Sequence, residues 1–163
     1  MLPAGVVELF HQARKAPTFP SAWLATVDLD GSPRVRTVRV CGFNLQRHLI
    51  YTCCDRNSAK VEQLARDSRF ELCLAALDEP IQLRLAGHMR PLDEGAVRDR
   101  FWSKISSETR SRIYGSLDHL PPWTFAVLEG VIDRVDTLDL RPQVPRQSRY
   151  LLQAGEFREQ PSI

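Results

Sequence analysis

The stretch Arg34-Val35-Arg36-Thr37-Val38-Arg39-Val40 (residues 34–40) decides how the chain folds. Its β-branched residues favour extended backbone, in which successive side chains point to opposite faces. Arg34 and Arg36 then share a face with Val38 and Val40, while Arg39 lies opposite. An arginine on an otherwise apolar face needs a partner, and its planar fork of donors matches a phosphate bidentately. An exposed edge strand with solvated charges fits the same seven residues. Charged side chains more often end in water, so the strand taken alone favours that second reading.

Working outward, Asp30-Gly31-Ser32-Pro33 is a turn signal after a strand at Ala22–Asp28, and Asn44–Arg47 is another before a strand at His48–Cys54. Such short connections make the first three strands an antiparallel meander. Further strands are expected at Phe70–Ala76, Ile81–Met89 and Phe125–Val135, with a weak one at Arg149–Gln153. Five or six strands imply a sheet that closes or folds over. Val6, Val7, Phe10 and Ala13 predict a helix over 6–15, stopped by Pro17 and Pro20. A short helix from Ser58 to Arg66 has Val61, Leu64 and Ala65 on one face. One or two helices are expected within 92–115, carrying Val97, Phe101, Trp102, Ile105 and Ile113 and closed by Pro121-Pro122.

With 163 residues the chain is expected to form one domain, residues 1–163. An apolar fraction of 43% and a charged fraction of 26% are those of an ordinary globular protein. No run approaches the roughly 20 apolar residues that span a bilayer, and Met1-Leu2-Pro3-Ala4 is unlike a signal peptide, so a cytoplasmic protein without membrane attachment is expected. Cys41, Cys53, Cys54 and Cys73 form no CxxC and have no His at ligand spacing, so no metal site is expected. Lys and Arg number 22 against 20 Asp and Glu, a balance that does not point to nucleic acid. Locally the picture differs: Arg34, Arg36, Arg39, Arg56 and Lys60 fall in a stretch whose one acidic residue is Asp55. That local cationic field suits an anionic partner.

Two further segments bear on chemistry. At the start of the Ser58 helix, Asn57 or Ser58 can cap, yet Arg56 and Lys60 put positive charge at the positive end. Backbone N–H groups, the Ser58 hydroxyl and the Lys60 ammonium together would cradle a phosphate, whereas a lysine extended into water is the commoner outcome. In Ile81-Gln82-Leu83-Arg84-Leu85-Ala86, Gln82 and Arg84 lie opposite the apolar residues. Gln82 can donate and accept toward a heterocycle edge, or that face can simply be wet. Asp28-Leu29-Asp30-Gly31 opens like a calcium loop, but its twelfth position is Arg39 and it is read as a turn. No catalytic nucleophile or base can be named, and His11, His48, His88 and His119 fit no metal motif.

In this order, the segments resemble the pyridoxamine 5′-phosphate oxidase family, the FMN-binding split barrels. The carriers are Ala25-Thr26-Val27-Asp28 with Gly31-Ser32-Pro33, Arg36-Thr37-Val38-Arg39-Val40, Tyr51-Thr52, Ser58-Ala59-Lys60 and Gln82-Leu83-Arg84-Leu85-Ala86-Gly87. The resemblance implies a mainly β fold with flanking helices, an antiparallel split β-barrel that is homodimeric and binds FMN at the subunit interface. It implies that Arg36, Ser58 and Lys60 grip the FMN phosphate, that Thr37, Val38, Tyr51 and Thr52 lie along the flavin, and that Gln82 reaches it from the neighbouring strand. A flavoprotein oxidoreductase acting on a small molecule follows, with a non-catalytic flavin-binding dimer as the alternative. The vitamer oxidases carry a lysine where this chain has Cys41, an arginine where it has Ala59, and a tryptophan in the final strand, where the nearest aromatic is Phe157. With Phe101-Trp102-Ser103-Lys104-Ile105-Ser106, Arg110 and Tyr114, these departures liken the chain to the oxidase-related branch rather than to the vitamer oxidase.

Overall fold

Alternating apolar side chains become the inner wall of a barrel in the computed structural model, which describes residues 2–15, 21–75, 81–92 and 95–161. The elements are α1 (Ala4–Lys15), β1 (Ser21–Val27), β2 (Pro33–Asn44), β3 (Leu49–Asp55), α2 (Ala59–Arg66), β4 (Arg69–Ala75), β5 (Ile81–Leu92), α3 (Gly95–Lys104), α4 (Ser107–Thr109) running into a π-helical turn (Arg110–Tyr114), β6 (Phe125–Asp139), β7 (Arg146–Gln153) and β8 (Glu156–Gln160). Pro17, Pro20 and Ala76 lie outside the described residues, as do the side chains of Phe10 and Ala13.

The strands run β3-β2-β1-β4-β5-β6-β7-β8, every pair antiparallel, and β3 also pairs with β6. That last pairing closes six strands into a barrel. β6 serves two structures at once: Phe125–Val131 bonds to β3, and Arg134–Asp139 bonds to β7. The barrel is therefore split along β6, and β7–β8 extends the sheet as a hairpin.

Two bulges shape the wall. On β2, Val40 pairs with Thr52 and Gly42 with Tyr51, so Cys41 is left over. On β6 the register skips Asp133, because Ala86 faces Arg134 and Gly87 faces Ile132. Gly87 lets the strands approach: a Cβ there would stand 2.0 Å from the Val131 carbonyl oxygen.

Inside lie Leu24, Val38, Val40, Ile50, Leu72, Leu85, Leu128 and Val135, with Leu2 and Val6 from the α1 end. A second cluster covers the outer face of β3 and β6, where Phe101 and Trp102 of α3 pack on Leu49, Tyr51, Phe125 and Val127. Gly42 makes room for it, since a Cβ there would sit 2.9 Å from the Phe101 ring. Arg98 fixes the segment by donating from Nε to the Phe125 carbonyl at 2.8 Å, and Trp102 Nε1 donates to the Asp118 carbonyl at 2.9 Å.

Three local expectations are corrected. In α2 it is Gln63, only 4% exposed, that is buried beside Leu64, while Ala65 is exposed. The amide displaces the small apolar residue because three polar partners await it. His48 is not in a strand but in left-handed backbone at φ 55°, ending the Leu45–Arg47 turn. The tail holds two strands, not one: Glu156–Gln160 carries a single apolar residue and gives no alternation to read.

Candidate functional site: the outer wall of β2 and β3

The alternation of β2 puts Arg36 on the inner side with Val38 and Val40, and leaves Val35, Thr37 and Arg39 exposed. Arg36 reaches the barrel end beneath α2. Its NH1 donates to Thr26 Oγ1 at 2.6 Å and the Leu24 carbonyl at 3.2 Å, and its NH2 to Gln63 Oε1 at 2.9 Å. Thr26 donates to the same Gln63 oxygen at 2.8 Å, and Gln63 Nε2 donates to Asp28 Oδ1 at 3.0 Å. Sequence reasoning missed Gln63 and gave Thr26 no role beyond its place in the resemblance, though both are buried polar residues; a glutamine on an otherwise apolar helix face was the one available signal.

Asp28 also receives Arg34 Nε at 2.5 Å. That bond first, then those from the Leu29 amide and Gln63, hold its carboxyl at about 2. Arg56 Nε donates to the Trp123 carbonyl at 3.0 Å. The cationic field of the sequence is thus resolved into residues engaged in the fold (Arg34, Arg36, Arg56) and two that face outward or stand at a helix end (Arg39, Lys60).

Ser58 occupies the N-cap of α2 but makes no side-chain capping bond. Its hydroxyl donates to the Asp55 carbonyl at 2.6 Å and accepts from Lys60 Nζ at 2.8 Å. Side chains at i and i+3 share a helix face, so Lys60 lies one turn above Gln63, to which Arg36 is bonded. Ser58 and Lys60 thus meet at the first turn of α2, and Arg36 reaches the same helix one turn further on, through Gln63. An ammonium beside a helix N-terminus, with a hydroxyl that can turn from the Asp55 carbonyl, is a donor set that fits a phosphate.

Along β3, Tyr51 is buried on the outer side with its ring centroid 5.0 Å from that of Phe101. Burial first, then Glu129, raises its phenol pKa. Thr52 is fully buried and its Oγ1 has no hydrogen-bond partner. Beside them, Arg39, Cys41, Cys53, Phe101, Lys104, Ile105, Ser106, Thr109, Ile113 and Tyr114 enclose a cavity of about 280 Å³.

Gln82 and Arg84 do lie opposite Leu83 and Leu85, as expected, but on a strand that borders β4 and β6. β5 is not next to β2 or β3: β1 and β4 separate it from β2, so Gln82 stands on the far wall of the same barrel. Arg84 Nε donates there to Glu71 at 2.6 Å, and Arg134 holds the other Glu71 oxygen at 2.6 Å.

Elsewhere, Ser68 Oγ lies 2.9 Å from His88 Nδ1, a hydroxyl–imidazole pair invisible to sequence spacing. The His88 side chain is 63% exposed and Asp133 stands 3.9 Å away, too far for the hydrogen bond that would orient the ring.

The family model "Pyridoxamine 5′-phosphate oxidase" matches residues 10–150. A pyridoxine/pyridoxamine 5′-phosphate oxidase of Anaeromyxobacter dehalogenans is 31% identical over 128 residues, covering 77% of this chain; the chain spans 62% of that relative's length. Among solved structures, a pyridoxamine 5′-phosphate oxidase-related, FMN-binding protein of Nostoc punctiforme superposes with a TM-score of 0.85 at 22% identity, over 98% of this chain and 96% of that one. PhzG of Burkholderia lata, in complex with tetrahydrophenazine-1-carboxylic acid, gives 0.74 at 16% identity, over 96% and 85%. At these identities the structures are alike in fold.

Proposed function

The chain belongs to the pyridoxamine 5′-phosphate oxidase family, and from that premise we propose that it is a single-domain, homodimeric, FMN-dependent oxidoreductase acting on a small molecule in the cytoplasm. The observation that carries the reading is the Ser58–Lys60 pair at the start of α2, with its hydroxyl free of capping duty. Ser58, Lys60 and Arg36 hold the FMN phosphate in this reading. The exposed Thr37 and the Val38 backbone, with Tyr51 and Thr52, position the ring system along β2 and β3.

Gln82 joins the site from a second copy of the chain, because its own barrel keeps it on the opposite wall. Trp23 and Val35 lie on the outer faces of β1 and β2 and are 48% and 65% exposed, an apolar surface suited to burial between copies. When bound, FMN supplies hydride acceptance from substrate and electron transfer to oxygen or another acceptor. The protein's share is orientation and exclusion of water, for which the aromatic cluster of Tyr51, Phe101, Trp102 and Tyr114 is suited.

A flavin-binding dimer without turnover is the second reading. It is favoured by Cys53 beside the flavin strands, which its hydrogen bond to Cys41 and then burial keep as a neutral thiol far above its ordinary pKa, of no use as a proton donor or acceptor near neutral pH. Titration of the protein with FMN, followed by visible absorption, tests the shared premise. Lys60→Ala should weaken FMN by about 1.5–3 kcal/mol, the range for a hydrogen bond to a charged group. Unchanged FMN affinity in that variant removes the phosphate assignment. Repeated bleaching and reoxidation of the bound flavin by a reductant separates the enzyme from the binding module.

A further inference from the structure

The 280 Å³ cavity between β2–β3 and residues 101–114 is left unused by the phosphate grip. An apolar cavity of about 150 Å³ holds benzene, so this one has room for one or two fused rings. Cys41, projected outward by the bulge on β2, and Cys53 meet on its β-strand side. The hydrogen bond to Cys41 and then burial push the Cys53 thiol far above its ordinary pKa, so it stays neutral. Burial likewise raises the Tyr114 phenol. Phe101, Ile105 and Ile113 complete an apolar lining.

Among the described residues, the charged side chains that line the cavity are Arg39 and Lys104, both positive and both exposed, and no acidic one joins them. Among the described residues neither pairs with a carboxylate, and Lys104 rests 5.8 Å from the Phe101 ring centre. The Ser106 and Thr109 hydroxyls bond to each other: Ser106 Oγ donates to Thr109 Oγ1 at 3.0 Å and caps the Thr109 amide at 3.2 Å. The cavity thus offers an apolar interior and cations at its solvent side.

We propose that this cavity seats the ring of an aromatic carboxylate, with Arg39 and Lys104 receiving the carboxylate at the mouth. The inference deepens the flavin reading and rests on it for a substrate held beside FMN. A phosphate ester suits the space less. It carries about two negative charges, and Cys41 and Cys53 on the strand side of the cavity bring no cation to compensate burying them.

The probe is 2-naphthoate, titrated by calorimetry into the FMN-loaded protein, with 2-naphthalenemethanol and pyridoxal 5′-phosphate as comparators. Saturable 2-naphthoate binding is expected, tighter than that of either comparator. Ile113 is 58% exposed, so Ile113→Glu keeps the fold while placing a negative charge in the lining, and should weaken 2-naphthoate at least about tenfold. Lys104→Ala should weaken it about two- to fivefold, the range of an exposed ion pair, and leave the neutral alcohol unaffected. Absence of binding, indifference to Ile113→Glu, or displacement of 2-naphthoate by added FMN overturns the proposal. A protein that ignores FMN yet binds 2-naphthoate with Ile113 dependence retains the cavity assignment and loses the flavin reading, so the two fail separately.

Discussion

Arg36 and Lys60 are given the same ligand, yet their surroundings separate them. Arg36 donates to Leu24, Thr26 and Gln63 inside the fold, so Arg36→Ala should lower stability without FMN by about 1–3 kcal/mol, read by urea denaturation. Lys60→Ala should leave that midpoint almost unmoved and lose FMN affinity alone. Asp28 adds a pH dependence. Its folded pKa of about 2, set first by Arg34, lies below the unfolded value of about 3.9, so its contribution is complete above that value and is lost as pH falls through 2. The thermal midpoint should therefore drop between about pH 4 and 2, more steeply than in Asp28→Asn. The face of Arg36 was legible from period-two alternation in β2. Its partners were not, because Gln63 comes from a helix 27 residues further on, and nothing local marks which glutamine will be buried.

At the scale of elements, the close approach of β5 to β6 rests on Gly87. Gly87→Ala puts a Cβ against the Val131 carbonyl, backbone that cannot swing aside, and should cost about 3 kcal/mol or more, the upper range for overpacking. At Gly42 the obstacle is the Phe101 side chain, which can shift, so Gly42→Ala should cost less and should perturb the Phe101–Tyr51 packing; both costs are read from denaturation midpoints. The six barrel strands were readable because each has alternating or apolar character bounded by turn residues. The bulges at Cys41 and Asp133 were not, since a one-residue register slip depends on the partner strand. β8 escaped for a different reason: as the outermost strand it is largely exposed, and its sequence is free to be polar.

The whole molecule sets the geometry of the proposed site, because β5 is next to neither β2 nor β3. Sedimentation should show a dimer. Mixing Lys60→Ala with Gln82→Ala after unfolding and refolding together should restore wild-type FMN affinity in half the sites of each heterodimer, since one interface then pairs native Lys60 with native Gln82. A site completed within one chain gives no such rescue. The sequence indicated the pocket-lining residues only through family resemblance, as topology rather than spacing decides which walls can meet. The split along β6 carries a kinetic consequence. Val127–Val131 is flanked by β3 and β5, and Arg134–Asp139 by β5 and β7, so the strand has no open edge along those residues. Amide deuteration should consequently be slowest at 127–131 and revert to solvent-like rates across Glu156–Gln160. The hairpin can then fray on its own while the barrel seam stays shut, and only global unfolding should release the last protons.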